Sequence, residues 1–296
     1  MSDEGRSNLS PAALSGVGVL VTRDVRQASD LTAQLHALGA DVFEFAVIEI
    51  AKPSSTEPLD QSLSMLESYD WIVFASTNAV DFFIDRMQTL NIPHSKLVKP
   101  SVAAIGAKTA DRARMHGLKV GFHPHSPRNF SAVDFVHEFC KVFEPTNKKF
   151  FWPRTNIGEL NIKELLEERG AMVDAVIAYE TVLPAQAVQR SDELQSLVKS
   201  GKIKVITLTS SQSAKNLFSL LNSTKQNATE QNASHSEDLR ARKLSIAGVS
   251  IASIGAQTRE TVERLFACES FQGESATIEG LVTAIARHSQ NIKGSP

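Results

Sequence analysis

The sequence predicts an α/β fold of two similar lobes, each a parallel sheet flanked by helices. Three observations predict it. Short apolar runs alternate with segments of helical period along most of the 296 residues, which is the pattern of β-α units whose strands pair in parallel. The second half of the chain repeats the first. The repeated polar residues all fall where an expected strand gives way to an expected helix.

The first stretch, "MSDEGRSNLSPAALS", is polar and is expected to be a disordered tail over about residues 1–15. It has no apolar signal core and lacks the Arg-rich, acid-poor character of a transit peptide. "GVGVLVTR" reads as a buried strand. "QASDLTAQLHALGA" follows as a helix, with Leu31, Leu35 and Leu38 at helical spacing and Gly39 as its stop. "DVFEFAVIEI" is a long β-type run. "DWIVFAS" is a short strand and "TNAVDFFIDRMQTL" its helix. "SVAAIG", "AKTADRARMHG" and "LKVGFHP" continue the alternation. After "SPRNFSAVDFVHEF" the pattern restarts at "KKFFWPR".

The restart pairs Arg23 with Arg154, Ser76 with Ser210, and "IGAKT" (from Ile105) with "IGAQT" (from Ile254). "FSAVDFV" and "ATIEGLV" form a weaker fourth pair. The spacing between paired units widens from the second to the third, which locates an insertion. The polar stretch of about 222–240 is its expected home, a mobile surface loop too poor in apolar groups to order itself. Its sequons at Asn222, Asn227 and Asn232 are read as unused, because no signal peptide precedes them. A duplicated module of this kind predicts two lobes with a ligand cleft between them.

Composition limits the function classes. The 31 Lys and Arg nearly balance 33 Asp and Glu, so no global field steers the chain to nucleic acid or to a membrane surface. No apolar run reaches transmembrane length. The two cysteines, Cys140 and Cys268, argue for a reducing cytosol over a secreted disulfide framework. The expectation is a cytoplasmic monomer. The chain has no Gly-x-Gly-x-x-Gly, no P-loop and no Gly-x-Ser-x-Gly elbow. His123 and His125 form a lone His-x-His without companion ligands, so no metal site is expected. Cys140 reads as a core residue.

Candidate site residues follow from where strands end. In parallel sheets, ligands bind at the carboxyl ends of strands. Arg23, Ser76, Asn78, Gly106, Thr109, Arg154, Ser210, Gly255 and Thr258 all sit there. Glycines allow close approach to the backbone, helix N-termini offer N–H groups, and hydroxyls add donors. This is the chemistry of an anion site repeated around a cleft, suited to a ligand with several carboxylates or phosphates. The plainer reading of the Ser and Thr residues is helix capping. Tyr179, which closes the apolar run "AVIAY", has two readings: a strand anchor tied to a backbone group, or a proton donor facing the cleft.

The carriers "VLVTR", "DWIVFASTNAV", "VAAIGAKTA", "ERGAMVDAVIAYETV", "ITLTSSQSAKNL", "IASIGAQT" and "TIEGL" come in an order and spacing that resembles the uroporphyrinogen-III synthase family over about residues 17–285. Ala75, Ala107, Thr155 and Ala256 depart from the family's usual residues. The resemblance implies an interchange of first strands. One lobe would take 1–47 and 184–296, the other 48–183, joined by a two-stranded β connector formed near "FEFAVIEI" and "VIAYETV". It implies a cofactor-free, metal-free lyase of tetrapyrrole biosynthesis. The substrate would be hydroxymethylbilane, a linear tetrapyrrole with eight carboxylates, closed to uroporphyrinogen III with inversion of the last ring. The competing reading is a non-enzymatic two-lobed binder of a small polyanion. A nucleotide-sugar transferase would need a ribose clamp and phosphate loop that the sequence does not offer.

Overall fold

A computed structural model describes residues 10–124, 131–158, 160–222, 246 and 248–293, with 291–293 described by backbone alone. The expected insertion lies outside these residues except for Asn222, as do His125 and the sequons at Asn227 and Asn232.

In chain order the elements begin with β1 (Gly18–Val21), α1 (Val25–Ala37), β2 (Asp41–Glu44) and β3 (Glu49–Ala51). Then come α2 (Glu57–Ser64), β4 (Trp71–Phe74), α3 (Thr77–Thr89), β5 (Ser101–Ala104), α4 (Ala107–Met115) and β6 (Val120–Phe122). The middle of the chain continues with α5 (Ala132–Cys140), β7 (Lys149–Thr155), α6 (Asn161–Glu167) and β8 (Met172–Val182). The last part holds α7 (Ala185–Gln189), α8 (Ser191–Lys199), β9 (Ile203–Leu208), α9 (Ser211–Asn222), β10 (Ser250–Ser253), α10 (Ala256–Phe266), β11 (Ser270–Gln272) and α11 (Ile278–Lys293).

Two sheets result. One has five strands in the order β11-β10-β9-β1-β2, the other six in the order β3-β8-β7-β4-β5-β6. Neighbours from β11 to β2 and from β8 to β6 run parallel. Apart from β3, the two orders are equivalent strand for strand. The chain divides into two compact units: residues up to Glu49 with those from Val182 onward, and Ile50–Thr181. The first unit therefore draws β1 and β2 from one end of the chain and β9 to β11 from the other. The second is contiguous. The boundary falls inside β3 and inside β8, which are sheet neighbours.

Both faces of each sheet are covered, which is why strands such as β4 "WIVF" read as unbroken apolar runs. In the first unit Leu20, Ile206, Leu217 and Phe266 pack on one side of the sheet, and Val19, Leu31, Val205 and Ile285 on the other. In the second unit Ile72, Phe83 and Phe151 share one core, and Val73, Phe135, Phe150 and Leu166 the other. Gly39 ends α1 as expected: its φ of +84° is the left-handed conformation that closes a helix.

Two expectations need correction. The run from Val42 to Ile50 is not one long strand. It is β2 in one sheet and β3 in the other, with a non-strand segment between them. Phe45 and Val47 fill the core of the first unit there, at 4% and 0% exposure. Their N–H groups donate to the Val21 and Thr22 carbonyls, each at 3.0 Å, and Asn216 Nδ2 donates to the Val47 carbonyl at 2.7 Å. Nor does the tail extend to residue 15. Leu14 is fully buried, and its N–H donates to the Leu38 carbonyl at 2.8 Å, because "AAL" supplies the apolar groups that the rest of the tail lacks. Cys140 is half-buried against the second unit's aromatic core.

Candidate active site

In the second unit the polar residues converge on Tyr179. It lies within β8, three residues before the strand's end at Val182, so it does not close the strand as the sequence suggested. Parallel pairing sets it beside Thr155 of β7. Its ring stacks on Phe82, with centroids 5.5 Å apart. Its hydroxyl sits 3.0 Å from Ser76 Oγ. Ser76 also caps α3, where Ala79 N–H donates to its Oγ at 3.1 Å. The capping and site readings of Ser76 are thus both satisfied by one oxygen.

Burial pushes the Tyr179 hydroxyl up from its usual pKa. Hydrogen bonds with Ser76, Thr155 and Asn78 and the charge of Arg154 pull the other way without reversing the shift. The phenol therefore holds its proton at neutral pH. Thr155 Oγ1 and Thr181 Oγ1 are 3.0 Å apart. Asn156 Oδ1 accepts from Thr155 Oγ1 at 3.1 Å and from Thr181 N–H at 2.8 Å. This lattice fixes the two strand ends against each other.

Arg154 Nη2 donates to the carbonyls of Ile157 and Gly158 at 3.1 and 2.7 Å. Its guanidinium lies over the Trp152 ring, 5.2 Å from the centroid. Its Nε and the Trp152 Nε1 are buried without a hydrogen-bond partner among the described residues. Burial lowers the Arg154 pKa, yet a guanidinium stays charged in protein. Gly106 stands at the N-terminus of α4 with extended backbone, and a side-chain carbon there would meet only open space. Strain therefore does not require glycine, and the α4 N-terminus is approachable. Thr109 is buried, two residues into that helix.

The first unit places its matching residues differently. Ser210 Oγ accepts from Ser213 N–H at 3.0 Å as a helix cap, with Ser213 Oγ 3.2 Å away. Gly255 heads α10 in extended conformation, against the Ala276 methyl, and Thr258 is buried. Thr22 Oγ1 is committed to the Thr207 carbonyl at 2.6 Å. Arg23 faces a pocket of about 540 Å³ within this unit, lined also by Phe45, Ile48, Glu49, Pro184 and Arg190. Burial lowers the Arg23 pKa.

The structure thus brings Ser76, Asn78, Arg154 and Tyr179 together, and sets Arg23 in a separate pocket of its own unit. Sequence reasoning missed Asn156, Phe82, Glu49 and Arg190. Asn156 had a signal, lying two residues after the repeated Arg154. Arg190 had none, since it sits between α7 and α8 outside every repeated motif. Among the described residues no group of acidic, His and Cys side chains could hold a metal ion, and no helix is long and apolar enough to cross a membrane.

The family model described as uroporphyrinogen-III synthase HemD matches residues 29–283. The uroporphyrinogen-III synthase of Synechococcus elongatus is 32% identical over 273 residues, covering 92% of this chain and 95% of that one. That of Chlorobaculum parvum is 26% identical, over 83% and 89% of the two chains. Solved uroporphyrinogen III synthases share the fold. A mutant form of the Thermus thermophilus enzyme gives a TM-score of 0.65 at 15% identity, over 93% of this chain and 99% of that one. The Helicobacter pylori enzyme gives 0.56 at 14%, over 92% and 99%. Strand order, duplicated strand-end motifs and relatives agree, and the chain belongs to the uroporphyrinogen-III synthase family.

Proposed function

We propose that the chain performs its family's cyclisation with Tyr179 as proton donor and the strand-end donors of each unit as carboxylate holders. The reaction closes hydroxymethylbilane to uroporphyrinogen III with loss of water. The pyrrole nitrogen pushes electrons toward the terminal carbon while the departing hydroxyl takes the Tyr179 proton and leaves as water. The azafulvenium cation so formed is attacked by the substituted carbon of the last ring. The spiro intermediate fragments and recloses with that ring inverted. The final loss of a ring proton returns it to the tyrosinate, so the only net product besides the macrocycle is water.

The observation that carries this reading is the Tyr179 hydroxyl, buried and 3.0 Å from Ser76 Oγ, its pKa pushed up by burial. Ser76, Asn78, Gly106, Thr109 and Arg154 in its unit, and Arg23, Ser210, Gly255 and Thr258 in the other, supply donors for carboxylates. The pyrrole drives ionisation itself, so most of the catalysis is positioning against direct closure. The chain acts as a cytosolic monomer. Its exposed large apolar residues, such as Val25, Val98 and Met115, are scattered over separate elements.

The test is to incubate hydroxymethylbilane with the protein and separate the products. Uroporphyrinogen III should exceed the type I isomer formed spontaneously. An isomer ratio equal to that of the buffer control would refute the reading and leave a polyanion binder.

A further inference from the structure

The pocket of the first unit holds three arginines, and two of them are already occupied. Arg26 bonds both carboxylate oxygens of Asp24, its Nε to Oδ1 and its Nη2 to Oδ2, at 3.3 and 3.4 Å. Arg190 forms a forked pair with Glu193, both bonds 2.7 Å, and lies over the Phe45 ring at 5.1 Å. Arg23 makes no hydrogen bond or ion pair among the described residues, and its pull from Asp30 and Asp24 is through space. The acids divide in the same way. Asp24 is buried under Arg26, and Glu44 accepts from Thr32 Oγ1 at 2.7 Å. Glu49 is exposed and is bonded to nothing among the described residues; Arg26 acts on it only through space. One uncommitted cation and one uncommitted carboxylate therefore share a pocket of about 540 Å³ whose other walls include Phe45, Ile48 and Pro184.

We infer that this pocket is a subsite for a single pyrrole ring bearing carboxylate side chains. Arg23 takes a side-chain carboxylate, Glu49 accepts the pyrrole N–H, and the apolar walls take the ring face. A pyrrole of this kind carries anionic acceptors at its rim and one N–H donor in its plane. A phosphate or a simple dicarboxylate would use Arg23 and leave Glu49 repelled. The volume lies within the range of small-molecule pockets. The assignment rests on the tetrapyrrole reading above for its biological ligand, and on the pocket alone for its chemistry.

The experiment uses the full chain and a monopyrrole carrying one acetate and one propionate, titrated by calorimetry without turnover. Binding should weaken roughly tenfold or more in Arg23→Gln, as expected for loss of a hydrogen bond to a charged group. Arg23→Lys should recover part of it. Glu49→Ala should weaken binding of the monopyrrole but leave its N-methyl analogue, already weaker, unchanged. Equal affinity of wild type and Arg23→Gln, at unchanged melting temperature, would overturn the subsite. So would equal loss of both ligands in Glu49→Ala. The two readings fail separately. A wild-type protein that binds the monopyrrole yet gives no excess of isomer III loses the catalytic reading alone. One that gives the excess but loses no monopyrrole affinity in Arg23→Gln loses the subsite alone.

Discussion

At the ends of β7 and β8 a buried phenol, three hydroxyls and an asparagine form one hydrogen-bonded lattice around Tyr179. At the ends of β1 and β2, the equivalent strands of the other sheet, the chain continues as Phe45, Ala46, Val47 and Ile48. Among the polar groups there is the Arg23 guanidinium, which makes no hydrogen bond or ion pair among the described residues, beside the apolar Phe45, Ile48 and Pro184. The strand order is shared and so is an arginine near the end of the module's first strand. The difference lies in the segment that follows β2 and in its counterpart, the C-terminal part of β8. Duplication kept the backbone and the helix caps, which the fold itself requires. The groups that no fold requires were free to diverge, one end into a buried hydroxyl lattice and the other into a pocket lined by Arg23.

The largest effect that could break this comparison is on turnover. Tyr179→Phe should lower kcat by roughly a hundredfold or more if the phenol donates its proton. Ser210→Ala, which removes the matching cap in the other unit, should change it by less than about tenfold. Steady-state rates on hydroxymethylbilane decide it. A Tyr179→Phe protein with unchanged kcat and melting temperature would put the asymmetry elsewhere.

A smaller effect sits at the last helix of each module. Thr277 and Ser131 cap equivalent helices, and the third residues of those helices are Gly280 and Asp134. Asp134 reciprocates in a capping box with Ser131. Gly280 donates its N–H to Thr277 Oγ1 at 3.0 Å, but a side-chain carbon on it would collide with the Ser275 carbonyl. Gly280→Asp should therefore destabilise by about 1–3 kcal/mol through overpacking, although it restores the box residue. Asp134→Gly should cost less. Chemical denaturation of the two variants measures both, and equal losses would show that the Ser275 carbonyl yields.

The smallest effect separates the units by pH. Burial lowers the pKa of His288, which stacks on Phe271 at 4.1 Å and meets Ser250 Oγ at 2.9 Å in the first unit. Its neutral form is favoured by folding. The stability it contributes is complete above its unfolded pKa of about 6.5 and is lost as pH falls below that. In the second unit Arg86 holds the Asp60 carboxyl below its usual range. That contribution is complete above about pH 4 and is lost as pH falls through the lower folded value. Melting temperatures of His288→Phe and wild type should diverge below about pH 6.5 in favour of the variant. Those of Asp60→Asn and wild type should converge only below about pH 4. The reverse order would contradict both assignments.

Much of this was legible in the sequence, for physical reasons. Strands buried on both faces must be apolar, so β4, β5, β9 and β10 announce themselves. Helices that start at strand ends need caps, so Ser76 and Ser210 stand out. The division of Val42 to Ile50 between two sheets was hidden, because apolar residues that fill a core and apolar residues that lengthen a strand are written alike. Arg190 and Glu49 were hidden for another reason. They matter only through what lies beside them across the pocket, and a charged residue at a helix junction otherwise reads as solvated surface. Tyr179 was visible as unusual, but only its distance to Ser76 places it in a lattice.

The interchange of first strands also bears on how the protein is made. β1 pairs with β9, whose first residue, Ile203, leaves the ribosome long after Val21. Ile50–Thr181 is unbroken in sequence and can close its own sheet while the rest is still being synthesised. The N-terminal segment, with the buried faces of Leu31 and Leu35 on α1, must wait without its central partner until β9 to β11 arrive. Loop closure over so long a stretch costs only slowly more entropy with length, so the delay is a matter of time more than of stability. Translation thus makes the middle of the chain the first compact body, and joins the two ends last.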